Sequence, residues 1–336
     1  MKSRVLLLLI LLPVITLLLV VADVAWGSVA LPLGEVWRAL SGGEVAESTR
    51  RIVCDIRLMK AVVALLAGAA LAVSGLQMQT LFRNPLAGPY VLGISSGASL
   101  GVALLMLGAP LLGLGSSPLL GSLGVAGAAW LGSAAILLVI AAVSSRIKDI
   151  MVILILGMMF SSGVSALVQI LQYLSDEESL KGFVIWSMGS LGDVTSSQLA
   201  LLVPAVGVGL LFSLLTLKSL NMLLLGEHYA RSMGLNVVRS RRLIFLSTTL
   251  LAGTVAAFCG PIGFIGLAIP HVARQLLGQA DHRLLMPVTL FCGAISLLLC
   301  DLISKQLTLP INTITSLLGI PIVVWVVLRN KTLSQR

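Results

Sequence analysis

Gly93-Ile94-Ser95-Ser96-Gly97 is the stretch whose residue types and spacing come nearest to a catalytic signature. It matches the GxSxG elbow that presents a serine nucleophile at a strand-to-helix turn. That chemistry needs a histidine base, and His228, His271 and His282 all fall in or beside polar connecting segments far along the chain. A phosphate-cradling GxxxxGK[ST] loop is excluded, because none of the seven lysines follows a glycine. No HExxH pair occurs. Cys54, Cys259, Cys292 and Cys300 are scattered without CxxC or Cys/His spacing, so neither a zinc site nor a disulfide framework is indicated. The chain is therefore expected to be no enzyme and to hold no cofactor or metal of its own.

The elements that carry these residues are apolar. Of 336 residues 58% are hydrophobic and 10% charged, and the mean hydropathy is +1.08. So few charges cannot coat a soluble globule, and so much apolar surface excludes disorder. The apolar runs are continuous rather than alternating, which indicates helices and not barrel strands. Spans are expected at 5–21, 60–81, 91–107, 119–143, 150–173, 199–217, 243–259, 261–277, 284–303 and 313–328, the eighth being broken. That makes about ten crossings at about 20 residues each. The first is read as a retained helix, not a cleaved signal, since no small-residue cleavage site precedes Trp26 and Pro32.

A net charge of +9 could suit nucleic acid, but in a polytopic chain it reads as the positive-inside bias, with lipid and no nucleic acid as partner. With both termini cytoplasmic, fifteen basic and three acidic residues fall inside, against seven basic and ten acidic outside. Asp23, Asp55, Asp193 and Asp301 lie near the outer ends of spans. Ion-coupled transport favours acids at mid-membrane depth. An energy source outside this chain is thus expected, with an ion-coupled secondary transporter acting without an ATPase as the alternative.

A shift of 185 residues aligns 57–75 with 242–260 at eight identical positions, including Arg57/Arg242, Gly68/Gly253 and Gly75/Gly260, and carries Pro85 onto Pro270. The two segments are five spans apart, so they point in opposite directions, the arrangement of an inverted-repeat transporter. The halves run roughly from 50 to 175 and from 240 to 330 within a single domain, 1–336. Each aligned helix is followed by a Gly/Pro-rich break, Asn84 to Pro89 and Gly260 to Gly266. Proline frees backbone groups that hydrocarbon cannot satisfy, so such breaks need protein or a water-filled pathway around them. Gly93, Gly97 and Gly101, four residues apart, equally suit close helix packing, and the two roles are compatible.

Arg57-Leu58-Met59-Lys60, Arg83 to Pro89, Leu92 to Ala98 and Phe264 to His271 resemble the FecCD-type permeases, the membrane subunits of ABC importers for ferric siderophores, haem and cobalamin. The resemblance covers nearly the whole chain. It implies an all-α, type II ABC importer permease of ten transmembrane helices in the bacterial inner membrane. It also implies a homodimer, two ATP-binding cassette subunits that bind ATP and Mg, and a periplasmic substrate-binding protein. The implied ligand is an iron chelate (haem or a ferric siderophore) or a corrinoid such as cobalamin.

The loop 218–242 holds a segment similar to the family's ATPase-coupling helices, with Gly226, Glu227, His228, Ala230, Arg231 and Gly234 as its candidate residues. Arg57, Lys60 and Lys305 match positions at which cobalamin importers of this family receive glutamates of the binding protein. Asn84 and Leu86, with Pro85 between them, match the narrow cytoplasmic exit. Ile150 and Met151 stand where that exit has small hydroxyl residues, and Gln77 is grouped with the pathway as a polar residue inside a span. Ser175-Asp176-Glu177-Glu178 reads as a capping box opening a short outer helix.

Overall fold

A computed structural model describes residues 2–27, 29–111, 113, 121–147 and 149–334. Lys148 and Arg336 of the basic tally, and the first residues of the span expected at 119–143, lie outside the described residues. The elements are α1 (Lys2–Ala25), α2 (Leu33–Ser41), α3 (Glu47–Leu81), α4 (Ile94–Leu111), α5 (Ser122–Arg146), α6 (Ile150–Leu174) and α7 (Glu177–Ser187). They continue with α8 (Ser196–Leu215), α9 (Leu217–Leu224), α10 (Glu227–Ser232), α11 (Val237–Cys259), α12 (Ile265–Leu277), α13 (His282–Leu307) and α14 (Ile311–Ser334). Among the described residues, eight of these are long and apolar enough to cross a membrane. The shorter α12 and the apolar α14 bring the bundle to the expected ten.

Helix starts follow the local chemistry. Asp149, Asp176, Asn236 and Asp281 each accept a backbone N–H of the helix they precede, filling one of the donors a first turn leaves open. The expected capping box at Ser175 is not formed. Asp176 is the cap, accepting from Ser179 N, while the Ser175 hydroxyl turns back and donates to the Gln172 carbonyl. A reciprocal box does open α8, where Thr195 and Gln198 exchange backbone bonds. Helix α2 buries Val36 and Ala39 and exposes Leu33, Trp37 and Leu40 on the adjoining stripe.

Helix α3 is the central post. Every residue from Ala67 to Leu81 is buried, as expected of a helix apolar all round. Its neighbours approach backbone to backbone: a Cβ on Gly75 would fall 1.7 Å from the Gly266 carbonyl oxygen, and one on Gly68 2.3 Å from that of Gly293. The Gly97–Gly101 face of α4 is likewise packing surface, since Cβ atoms there would lie 2.5 Å from the Gly132 and 2.0 Å from the Ala128 carbonyl oxygens. Helix α6 is the opposite case, burying little beyond Ile153, Leu154, Gly157 and Val168.

The aligned segments run in opposite directions. Lys60 near the start of α3 and Ser190 line one cavity, and Ser190 N donates to the carbonyl of Cys259, the last residue of α11. At the other end Thr80 of α3 meets His282, which meets Asn221; close by, Ser240 near the start of α11 meets Ser219. The correspondence stops short of the helix ends: Gly75 sits inside α3, whereas Gly260, at φ +72°, terminates α11. The breaks are satisfied by protein. Gly263 N donates to Asn312, Leu86 N donates to Asn84, and the Pro85 carbonyl lies 2.7 Å from His271 Nε2.

Candidate functional site

The expected docking trio is not a free basic rim. Arg57 is only 4% exposed. Its guanidinium donates to the carbonyls of Val24 (3.1 Å) and Ala25 (2.9 Å), open acceptors where α1 ends, and of Val29 in the segment that follows. A cation at a helix C-terminus meets both those acceptors and the negative end of the dipole. Lys305 lies 2.9 Å from Asp23 and 2.9 Å from Asp301, and Lys60 lies 2.9 Å from Asp301. The Lys305 side chain is 8% exposed and that of Lys60 20%. Two lysines and two carboxylates from α1, α3 and α13 thus neutralise one another inside the protein. Sequence placed all of these residues near one end of the bundle but could not show Asp23 and Asp301 within reach. In this structure Arg57 and Lys305 are therefore engaged inside the protein, and Lys60 largely so.

The opposite end carries α9 and α10, and here the expected segment is a built device. Gly226 has φ +103° and ψ 155°, backbone essentially restricted to glycine, and turns the chain sharply into α10. Gly234, at φ +83°, closes the helix: its N–H donates to the Arg231 carbonyl and that of Leu235 to the Ala230 carbonyl, a Schellman ending. Glu227, in the first turn, pairs with Arg231 on its own helix and with buried Arg241 on α11. Ala230 is buried beneath, while His228, Tyr229 and Met233 project outward. The result is a short rigid knob pinned to the bundle by one carboxylate.

A chain of hydrogen bonds leads from this knob to the expected gate. Asn221 of α9 donates to Asp281 (2.7 Å) and accepts from His282 N (2.9 Å). The His282 ring lies 2.8 Å from Asn221 Oδ1 and 2.8 Å from Thr80 Oγ1, four residues before Asn84. Asp281 is held below the ordinary carboxylate range, chiefly by the Arg283 backbone N–H and then by Asn221. From α12, Arg274 donates to Gln79 (2.7 Å), which donates to the Leu267 carbonyl (2.9 Å). Sequence reasoning missed Thr80, Asn221 and His282 as a unit; the only signal was His282 at a span edge.

Asn84, Pro85 and Leu86 form a turn at the same end, with Leu86 43% exposed. Ile150 and Met151 open α6, Met151 being 47% exposed. No hydrogen bond or ion pair joins the two groups among the described residues. Gln77 lies apart from them. It is fully buried and bonded to Thr216 (3.2 Å), Ser247 (3.1 Å) and Thr248 (3.1 Å), a knot joining α3, α11 and the end of α8. No cluster of three or more His, Cys, Asp or Glu side chains able to hold a metal is found among the described residues.

A ten-helix bundle with broken spans, backbone-close packing and a pinned external knob has the architecture of a polytopic membrane protein. The chain belongs to the FecCD transport family, which it matches over residues 15–329. It is similar to the hemin transport system permease protein HmuU of Yersinia pestis, 35% identical over 95% of this chain and 94% of the relative. It is also similar to the vitamin B12 import system permease protein BtuC of Salmonella typhi, 38% identical over 90% of each. A solved structure, in an inward-facing conformation, of a transporter assigned to the metal-chelate type of ABC transporters superposes with a TM-score of 0.80. That chain is 31% identical, and the match covers 96% of this chain and 98% of the other. The protein is accordingly an ABC importer permease subunit, a transport component and not an enzyme.

Proposed function

We propose that this permease moves an iron chelate or a corrinoid from periplasm to cytoplasm across the bacterial inner membrane, as a homodimer on two ATP-binding cassette subunits. A periplasmic binding protein delivers the ligand. The 218–242 end and both termini face the cytoplasm, which the charge bias supports. ATP and Mg belong to the partner chains.

The observation that carries the reading is the α9–α10 knob. Its backbone is fixed by Gly226 and Gly234, its position by Glu227, and its outer face offers Tyr229 and Met233 to a partner's groove. The hydrogen bonds through Asn221 and His282 tie that knob to the turn at Asn84–Leu86, so displacing one displaces the other. The handling of haem by HmuU and of vitamin B12 by BtuC supports the ligand class.

Reconstitution tests it. Proteoliposomes holding this chain, the ATPase and the binding protein should accumulate ligand only with ATP. Uptake by this chain alone, driven by an ion gradient, would establish the secondary-transporter alternative instead.

A further inference from the structure

Six neutral polar side chains line a cleft of about 280 Å³ between α4, α6 and α7: Ser95, Ser96 and Ser99 from α4, and Ser165, Gln169 and Gln172 from α6. Positions 165, 169 and 172 share one face of α6, and 95 and 99 share one face of α4. None of the six side chains has a hydrogen-bond partner within the chain, among the described residues. Elsewhere in the spans most such groups are met, the buried Thr249 hydroxyl of α11 being an exception. Gln77 has three hydroxyl partners, Gln79 bonds Arg274 and the Leu267 carbonyl, and Gln198 donates to the Ser122 carbonyl. On α6 itself, Ser161 and Ser162 turn their hydroxyls back to the carbonyls of Gly157 and Met158. Unpaired amides and hydroxyls facing hydrocarbon are costly, so this face is built to meet something polar.

The remaining lining is Val164, Val168, Phe183 and Ser187, whose hydroxyl donates to the Val184 carbonyl, and no charged side chain borders the cleft. A carboxylate entering it would lose water and find no counter-charge. Amide, hydroxamate or hydroxyl edges would find both donors and acceptors, in contacts weak enough to release. We infer that the cleft between α4, α6 and α7 is a ligand-recognition site that takes the uncharged hydrogen-bonding edge of the transported chelate, in preference to a carboxylate-bearing edge. This rests on the proposed transport of a metal chelate and narrows it. At this volume one edge of such a ligand enters, and the rest occupies the space beyond α6.

The test uses the complete complex in proteoliposomes, each probe presented with its own binding protein. The probes are cobalamin and a ferric trihydroxamate, whose edges are uncharged, and haem, which carries carboxylates. ATP-driven uptake is expected for at least one uncharged-edge probe and not for haem. Ser165→Cys should react with a water-soluble thiol reagent, and the transported probe should slow that labelling at least about fivefold during turnover, as expected of an occluding ligand. Gln169→Leu/Gln172→Leu should raise the KM for that probe about tenfold, the loss of two ordinary hydrogen bonds. ATP-driven uptake with no protection of Ser165→Cys and an unchanged KM in the glutamine variant overturns the cleft and leaves the proposed function standing. Protection by haem equal to that by the uncharged probes overturns the charge argument. A Ser165→Cys thiol inaccessible before ligand is added overturns it in favour of a contact between two copies of the chain. Failure of ATP-driven uptake for every probe overturns both readings.

Discussion

Replacing Lys305 by methionine separates a docking residue from a structural one, because it keeps the length and apolar stem of the side chain and removes only the charge. In the structure Lys305 Nζ lies 2.9 Å from Asp23, 2.9 Å from Asp301 and 3.1 Å from the Asp23 carbonyl. At an effective dielectric of about 20, each unit-charge contact at this range is worth about 6 kcal/mol before desolvation. Desolvation offsets most of that, and removing one partner of a buried pair costs about 3–5 kcal/mol. Lys60 would still serve Asp301, but Asp23 would have no cation left among the contacts of the network. Lys305→Met should therefore fall in that range and lower the melting temperature of the purified permease by about 10 °C, at the few degrees per kcal/mol typical of larger domains. Adding Asp23→Asn removes the stranded charge and should recover about half of the loss.

Two measurements on the same preparations settle the matter: thermal unfolding in detergent, and affinity for the binding protein. Lost stability with little change in affinity at a temperature where the variant is folded supports the internal network. A melting temperature within about 1 °C of wild type together with weakened capture would show Lys305 unpaired and free for docking, and the reasoning would be refuted. Arg57→Glu is the companion case. It should destabilise the end of α1, not chiefly impair capture, since its guanidinium is occupied by the carbonyls of Val24 and Ala25 at that end and of Val29 beyond it.

Glu227→Gln removes the ionic pins to Arg231 and Arg241; ATP hydrolysis by the assembled complex should continue while uptake per ATP falls, and wild-type coupling would count against the knob. Gly234→Ala places a side chain at φ +83°, at a strain of about 1 kcal/mol confined to the end of α10, and should weaken coupling without lowering the yield of folded protein. Gly75→Ala should prevent recovery of folded permease, because its Cβ would overlap the Gly266 carbonyl, whereas Gly163→Ala, with nothing within 4 Å, should purify normally. Gln77→Leu strands the buried Thr248 hydroxyl, while Thr216 and Ser247 keep their bonds to the Ser213 and Gly209 carbonyls, and should cost about 1–3 kcal/mol of stability, with KM for the ligand unchanged; a changed KM would place Gln77 in the pathway.

What the sequence could express was anything local or periodic. Hydropathy placed the spans, and the glycines at 226 and 234 bounded the coupling helix to the residue. The fourfold spacing of Gly93, Gly97 and Gly101 correctly suggested helix packing. Partnership across the bundle was not expressible. Asp23, Lys60, Asp301 and Lys305 are scattered over 283 positions, from 23 to 305, and single-chain reading has no term for whether their side chains meet. The same holds for Thr80, Asn221 and His282, and for Gln77. Each is polar within or beside a span, and such a residue serves a pathway or a knot according to neighbours that only the fold supplies. The resemblance carried over positions but not partners, and so it gave no sign of the internal contacts that Arg57 and Lys305 make.

The two ends of the bundle are held by interactions of different strength, and that difference says where motion belongs. At the Lys60 end the network is ionic, buried and shared by three helices, so separating any one helix strands a charge at about 3–5 kcal/mol. At the Glu227 end α10 is pinned to α11 through Arg241, but the link from α9 to α3 runs through neutral contacts, Asn221 to His282 to Thr80, each worth about 1 kcal/mol net. A cycle that must open and reclose many times can break the second set and not the first. Binding at the knob should therefore move the Asn84–Leu86 turn and the start of α6 while α1, α3 and α13 stay locked at the far end. On this view the buried ions are a fixed post at the end of the bundle away from α10.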